Sequence, residues 1–346
     1  VLPGLALAVL VGLAARLVHH YLPAHAASAL GEVIFAVLIG LIVGNLAPLP
    51  DALAPGIRFS YQTVLRAAIV LLGAAFSFQQ VLAIGGKALG MIVILMVLAL
   101  ATAYFLGRLA GVPGRLATLI GVGTAVCGNS AIVATAPVIR ARDDEVSFAV
   151  ATNTLFGTLA VLLYPVIGRL LHFGDAQFGT WAGTAVNDTS QVVAAGFAYS
   201  EAAGRLATAV KLTRNALMGL VIVGVGFAYA RAGAETSAEA SAATGVLTRI
   251  KQSFPIFVLG FLAMALLNSV GAIGRLSGVI GHDLGAILRE TSRAMILVAL
   301  AGVGLSTRLQ AMRRTGWKPF LVGFAVAAVT SGASLLLIHL LGPAAG

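Results

Sequence analysis

The sequence predicts an all-α polytopic membrane protein with about nine transmembrane helices, two broken or re-entrant segments and inverted repeats. Three observations carry that expectation. Of 346 residues, 59% are hydrophobic and only 10% charged, whereas soluble domains are about one quarter charged. Uncharged runs of roughly twenty residues recur along the chain, long enough to cross the hydrocarbon of a bilayer. A polar, glycine-bearing motif stands twice inside such runs, sixty residues apart.

Each span follows from a gap between charged residues. Leu5–Val18 reads as the remainder of a first helix, because the chain opens at Val1 without a methionine and residues are expected upstream. Val33–Pro50 comes next, starting before Glu32, then Ala67–Gly86 and Ala88–Gly107. Leu116–Ile139 falls in the first irregular segment, near 113–139; Val146–Gly168 is an ordinary span, and the second irregular segment lies near 179–200. Leu206–Ala230 crosses despite Lys211 and Arg214, and Gln252–Gly274 follows a polar linker at 232–248. Leu284–Leu305 carries Arg289, Glu290 and Arg293, read as an outer helix end, and a last span runs from Pro319. The densest basic cluster, Arg308, Arg313, Arg314 and Lys318, places the loop after Leu305 in the cytoplasm. Arg231, Arg249 and Lys251 then also lie inside, and the C-terminus outside.

Composition excludes other classes. The net charge of +10 lies between apolar runs, where membrane topology explains it without nucleic acid. The single cysteine, Cys127, permits neither a disulfide framework nor a cysteine metal cluster. The 6 histidines form no HxxxH or HExxH pattern, so no metal site is expected. An enzyme is not expected either, since Ser130 and Cys127 have no histidine on a facing span. The expected partners are the lipid bilayer and a small anionic substrate, with a homodimer left open. Beyond a coupling sodium ion or proton, no cofactor is expected.

The chain reads as one domain, 1–346, containing repeats. Gly123-Thr-Ala-Val-Cys-Gly-Asn-Ser130 is matched by Gly183-Thr-Ala-Val-Asn-Asp-Thr-Ser190. Downstream, Asn153, Leu155 and Gly157 are echoed by Asn215, Leu217 and Gly219. A weaker pair joins Leu72-Gly-Ala-Ala-Phe-Ser77 to Ala301-Gly-Val-Gly-Leu-Ser306. The repeat elements are thus 61–171 and, in permuted order, 179–231 with 284–341.

The repeated polar centres concentrate the chemistry. A helix broken at membrane depth exposes N–H and C=O groups, tolerated only where protein buries them or a cavity receives them. Half-helix N-termini there offer N–H donors to an anion. The candidate substrate-binding residues are Thr124, Cys127, Gly128, Asn129 and Ser130 in one copy, and Asn187, Thr189, Ser190 and Gln191 in the other. Ser130 and Ser190 are expected to lie close together near the midplane. Lys211 and Arg214, one turn apart, would face a central cavity, or else snorkel to the nearby outer surface. Asp188 is the acid of the repeat centres and the candidate coupling-ion ligand or proton carrier, with Asn153 and Asn215 as paired amides. The competing readings are a helix cap for Asp188 and plain helix packing for the asparagines.

Cys127-Gly-Asn-Ser-Ala-Ile-Val-Ala-Thr-Ala-Pro-Val-Ile139, Gln191-Val-Val-Ala-Ala-Gly196, Lys211-Leu-Thr-Arg214 and Gly304-Leu-Ser-Thr307 resemble the bacterial YeiH-type sulfate exporter family. That resemblance implies a multi-pass protein of the bacterial inner membrane, distantly similar to sodium/proton antiporters and bile-acid sodium symporters. It also implies broken helices and often a core domain moving against a scaffold. The chain departs from the family pattern at Asn187-Asp188, where a His-Glu pair is usual, and at Ala74, where a basic residue often stands. The expected function is secondary active transport of a small anion, sulfate or sulfonate-like, by alternating access. A cation/proton antiporter using Asp188 is the alternative, and an intramembrane enzyme or a channel are more remote ones.

Overall fold

A computed structural model describes residues 1–21, 32–46, 49–232, 256–307 and 317–344. Among these residues every regular element is helical. The first part of the chain forms α1 (Leu2–Tyr21), α2 (Glu32–Leu46), α3 (Ala54–Phe59), a π turn (Ser60–Val64) and α4 (Leu65–Leu72). The centre forms α5 (Phe78–Leu109), α6 (Gly114–Ala125), α7 (Asn129–Thr135), α8 (Asp143–Leu170), α9 (Asp175–Ala185), α10 (Thr189–Tyr199), α11 (Glu201–Ala216) and α12 (Met218–Ala232). The last part forms α13 (Ile256–Ser269), α14 (Ala272–Ile280), α15 (Leu284–Ser306) and α16 (Trp317–Leu341). The linker beyond Ala232, the basic residues Arg249, Lys251, Arg308, Arg313 and Arg314, and hence the charge-based orientation, lie outside the described residues.

Five helical stretches are long and apolar enough to cross a membrane: α1, α5, α8, α16, and α11 with α12 through Tyr229. The pair α13–α14, bent by 71°, supplies a sixth if it counts as one span. The other expected spans fail a length-and-composition test for visible reasons. Helix α2 has only 15 residues, a π turn separates α3 from α4, and α15 carries Arg289, Glu290 and Arg293. Large apolar side chains such as Leu10, Leu13, Val97, Phe105, Leu336 and Leu340 stay exposed on the outside of the molecule. Such a surface would aggregate in water and is normal against lipid.

One expected boundary is corrected. Ala67–Gly86 is not a single span: α4 ends at Leu72 and α5 begins at Phe78. The cause is a capping box, in which Ser77 Oγ accepts from the Gln80 N–H at 3.2 Å and Gln80 Oε1 accepts from the Ser77 N–H at 2.9 Å. Lys87, taken as a boundary between spans, sits inside α5 with its side chain exposed.

The helices sort into two bundles. Helices α1 to α4 and α13 to α15 pack on one another as the first. Helices α5 to α12 form the second, and α16 returns across the chain to join them. Contacts of α10 with α2 and α15, and of α13 with α5, form the seam between them. In the first bundle, Gly40 and Gly304 bring α2 and α15 almost backbone to backbone: a Cβ on Gly40 would stand 2.5 Å from the Ala301 carbonyl oxygen. In the second, the Trp181 ring stacks on Tyr164 at 4.1 Å between centroids, and its indole N–H donates to Ser331 Oγ at 3.1 Å. Thr184 and Ser334 hydroxyls pair at 2.7 Å one turn away. These polar contacts fasten α16 to α9, as hydroxyls commonly do between helices in lipid.

Candidate functional site

Two hairpins of half-helices occupy the centre of the second bundle. Helix α9 leads to a break at Val186–Asp188 and then to α10. Phe178 near the start of α9 stacks on Tyr199 at the end of α10, with centroids 3.9 Å apart. Ser200 Oγ donates to Asp175 Oδ1 at 2.6 Å, closing the same end. The chain therefore goes in and comes back. Each half has 11 residues, about 16 Å of rise, too short to cross hydrocarbon alone. The other hairpin is α6, a break at Val126–Gly128, and α7. Here Ile132 folds back over Gly123, where a Cβ would stand 2.8 Å from its Cδ1.

The two tips touch. A Cβ on Gly128 would stand 2.9 Å from Asp188 Oδ2, and Gly128 holds φ at 70°, a region that favours glycine. Behind the tips lie the carbonyls that the breaks leave without helical partners. Lys211, 0% exposed, fills that need from α11. Its ammonium donates to the carbonyls of Val126 at 2.8 Å, Val186 at 3.0 Å, and Asn187. Arg214, 2% exposed, donates from Nε to the Ala125 carbonyl at 2.7 Å. Its Nη1 donates to the Thr184 carbonyl at 2.8 Å and the Val186 carbonyl at 3.1 Å. Two cations thus sit at the C-terminal, negative ends of two half-helices, where the helix dipole favours positive charge. They neither line the cavity nor reach the outer surface.

The N-terminal ends of the return half-helices are tied in matching ways. Asn153 on α8 donates to Asn129 Oδ1 at 2.9 Å, and Asn215 on α11 donates to Thr189 Oγ1 at 3.0 Å. Asp188 caps α10: its Oδ1 accepts from the Ser190 N–H at 3.0 Å and the Ser190 hydroxyl at 2.8 Å. Gln191 donates to the Thr154 carbonyl at 3.1 Å, in a notch left by Gly157. Three buried amide oxygens, Asn153 Oδ1, Gln191 Oε1 and Asn215 Oδ1, have no hydrogen-bond partner among the described residues.

A cavity of about 1240 Å³ opens between the bundles in front of the tips. Cys127, Asn129 and Ser130 of the first tip line it, and so do Asp188, Thr189, Ser190 and Gln191 of the second, with Asn215 beside them. Ser130 and Ser190 therefore share one cavity. Thr124, Gly128, Asn153 and Asn187 lie behind this wall, buried in protein. The opposing wall comes from the first bundle and includes Arg58, Tyr61, Gln62 and Arg66, which reading the sequence did not single out. A signal existed: Arg66 is an arginine inside an otherwise apolar helix, and such a residue is a functional candidate in membrane proteins. Among the described residues, no group of three or more His, Cys, Asp or Glu could hold a metal ion.

A helical, multi-pass membrane protein with a polar cavity between two bundles is the class these features define. The family described as conserved hypothetical protein 698 matches residues 3–323. The UPF0324 membrane protein of Clostridium tetani is 33% identical over 318 residues, spanning 90% of each chain. That of Streptococcus pyogenes serotype M18 is 36% identical over 326 residues, 93% of this chain and 92% of the relative. That of Agrobacterium fabrum is 34% identical over 318 residues, 92% and 86% respectively. The chain belongs to the UPF0324 membrane protein family.

Proposed function

We propose that the protein is a secondary active transporter of a small anion, sulfate or sulfonate-like, in the bacterial inner membrane. Nine spans carry it, with α2, α3–α4 and α15 crossing despite their irregularities, and both hairpins re-entrant. The observation that carries the reading is the meeting of two hairpin tips at a polar cavity between two bundles. A site at such a seam is exposed to one side or the other as one bundle moves against its neighbour. The matched contacts Asn129–Asn153 and Thr189–Asn215 support two inverted, permuted repeats. The charge supports an anion. Lys211 and Arg214 stand behind the tips, Arg58 and Arg66 face them, and Asp188 is the acid in the cavity wall.

A second reading rests on the same wall. Asp188 Oδ2 and the unpartnered oxygens of Gln191 and Asn215 are the hard oxygen ligands that a sodium ion takes, or acceptors for a proton donor. Coupling at Asp188 is compatible with anion transport; exchange of cations alone is the rival. Proteoliposomes holding the purified protein separate them. Saturable sulfate or methanesulfonate counterflow is expected, and Asp188→Asn is expected to leave folding intact while abolishing dependence on a proton or sodium gradient. Proton or sodium exchange without anion flux would establish the antiporter instead. Flux without saturation or counterflow would establish a channel.

A further inference from the structure

The π turn in the first bundle has a consequence for what the cavity accepts. On a regular α-helix, residues eight apart lie about 80° apart around the axis. Arg58 and Arg66 are so spaced, yet both line the cavity, with Gln62 between them. The turn at Ser60–Val64, where the Leu65 N–H reaches back five residues to the Ser60 carbonyl, winds less per residue. It therefore brings the two arginines back toward one face. The turn is locked. Ser60 is fully buried, its hydroxyl donates to the Ile57 carbonyl at 2.7 Å, and it fills a notch at Gly302, where a Cβ would stand 1.9 Å from Ser60 Oγ. Neither arginine makes an ion pair or hydrogen bond with a described residue. Two guanidinium groups thus face the α10 tip, with its Ser190 hydroxyl, from across the seam.

Beside the polar tips, which include the Asp188 carboxylate, part of the wall is apolar. Leu65 and Ile69 of α4, Val138 after α7, Ile222 of α12 and Phe257 of α13 line the same space. Its roughly 1240 Å³ exceeds the about 300–1,000 Å³ usual for organic ligands, so it has room for one of that size. An inorganic oxyanion would use the arginines and leave this wall against water. Resting on the transport reading above, we propose that the substrate is an organic oxyanion with an apolar body, its charged head held by Arg58 and Arg66 and its body lying on the apolar wall. Arg58 and Arg66 are then specificity-determining residues contributed by the first bundle. Guanidinium groups suit this role because they bind sulfonate or carboxylate oxygens in a planar fork.

The test uses the full chain in lipid nanodiscs. Binding of sulfate, methanesulfonate, butanesulfonate and hexanesulfonate is measured by isothermal calorimetry, with hexanol as the uncharged control. Affinity is expected to rise about three- to fourfold per methylene buried, from the usual transfer free energy of a CH2 group. Arg58→Gln and Arg66→Gln are each expected to weaken hexanesulfonate at least tenfold, with Arg→Lys variants intermediate and the unfolding temperature unchanged. Equal affinity for sulfate and hexanesulfonate would overturn the apolar body while leaving anion transport standing. Hexanol binding as tightly as hexanesulfonate, or Gln variants that keep the wild-type affinity for hexanesulfonate, would overturn the arginine head site. Wild-type protein that neither binds nor moves any of these anions would overturn the transport reading itself.

Discussion

Replacing Lys211 by methionine tests how the hairpin tips are held. The side chain keeps its length and loses its charge and all three donors. Three carbonyls feel the change, but the Val186 carbonyl keeps Arg214 at 3.1 Å. The carbonyls of Val126 and Asn187 lose the bond from Lys211. A buried polar group without a partner costs about 1–3 kcal/mol, so the two together cost about 2–6 kcal/mol. Removing a desolvated ammonium returns part of that, because burying a charge is itself costly. The expected net loss is about 2–5 kcal/mol, a fall in melting temperature on the order of 3–7 °C for a chain of this length. Thermal unfolding of the detergent-solubilised protein, read as the surviving monodisperse fraction, measures it. Arg205→Ala is the control. It removes an exposed pair with Glu201 at 3.1 Å and is expected to cost about 0.3–0.5 kcal/mol. A Lys211→Met protein melting within about 1 °C of wild type would refute the reasoning, since water would then be satisfying those carbonyls.

Two further outcomes follow from contacts nearby. Gly157→Ala places a Cβ 1.7 Å from Gln191 Oε1, so the amide must leave its seat; a loss of about 1–3 kcal/mol is expected, partly recovered in the Gly157→Ala, Gln191→Ala double variant. Additive losses in that thermal-melt cycle would show that the two positions do not meet. Ser331→Ala leaves the Trp181 indole N–H without the acceptor it has at 3.1 Å, costing about 1–3 kcal/mol; in a Trp181→Phe background the same change is expected to cost less, only the contact of Ser331 with the Tyr164 hydroxyl then being lost.

Much of this arrangement could be read from the residues, and the failures have physical causes. The repeat GTAV…S marked both tips, because a polar, glycine-bearing break inside an apolar run has few other uses at membrane depth. Asp188 and both serines were found that way, and all three line the cavity. Counting gaps between charges missed the break near Gly73, because no charge marks it and Lys87, which is charged, stands inside α5. The capping box at Ser77 and Gln80 was the better signal. Lys211 and Arg214 stood out as cations within a span, read as facing a cavity or snorkelling outward, and neither reading placed them buried behind the tips. Backbone carbonyls carry no sequence signature, and a cation that caps a half-helix is spelled like one that binds an anion. The π turn was likewise hidden, since Ser60 favours it only against Gly302, more than two hundred positions away.

The capping of both tips from α11 also bears on how the protein is made. The first hairpin, Gly114–Thr135, leaves the ribosome well before Lys211 and Arg214 do. Until α11 is in the membrane, the carbonyls of Ala125 and Val126 lack the donors that finish them. Inserting α11 is itself unfavourable, since each basic residue at a helix centre costs about 2.5–3.5 kcal/mol on translocon scales. Neither element is a comfortable membrane resident alone, and each supplies what the other lacks. Biogenesis of the second bundle is therefore obligately late and cooperative. A nascent chain stalled at Leu206 would hold both hairpin sequences with unfinished tips, a natural substrate for membrane quality control.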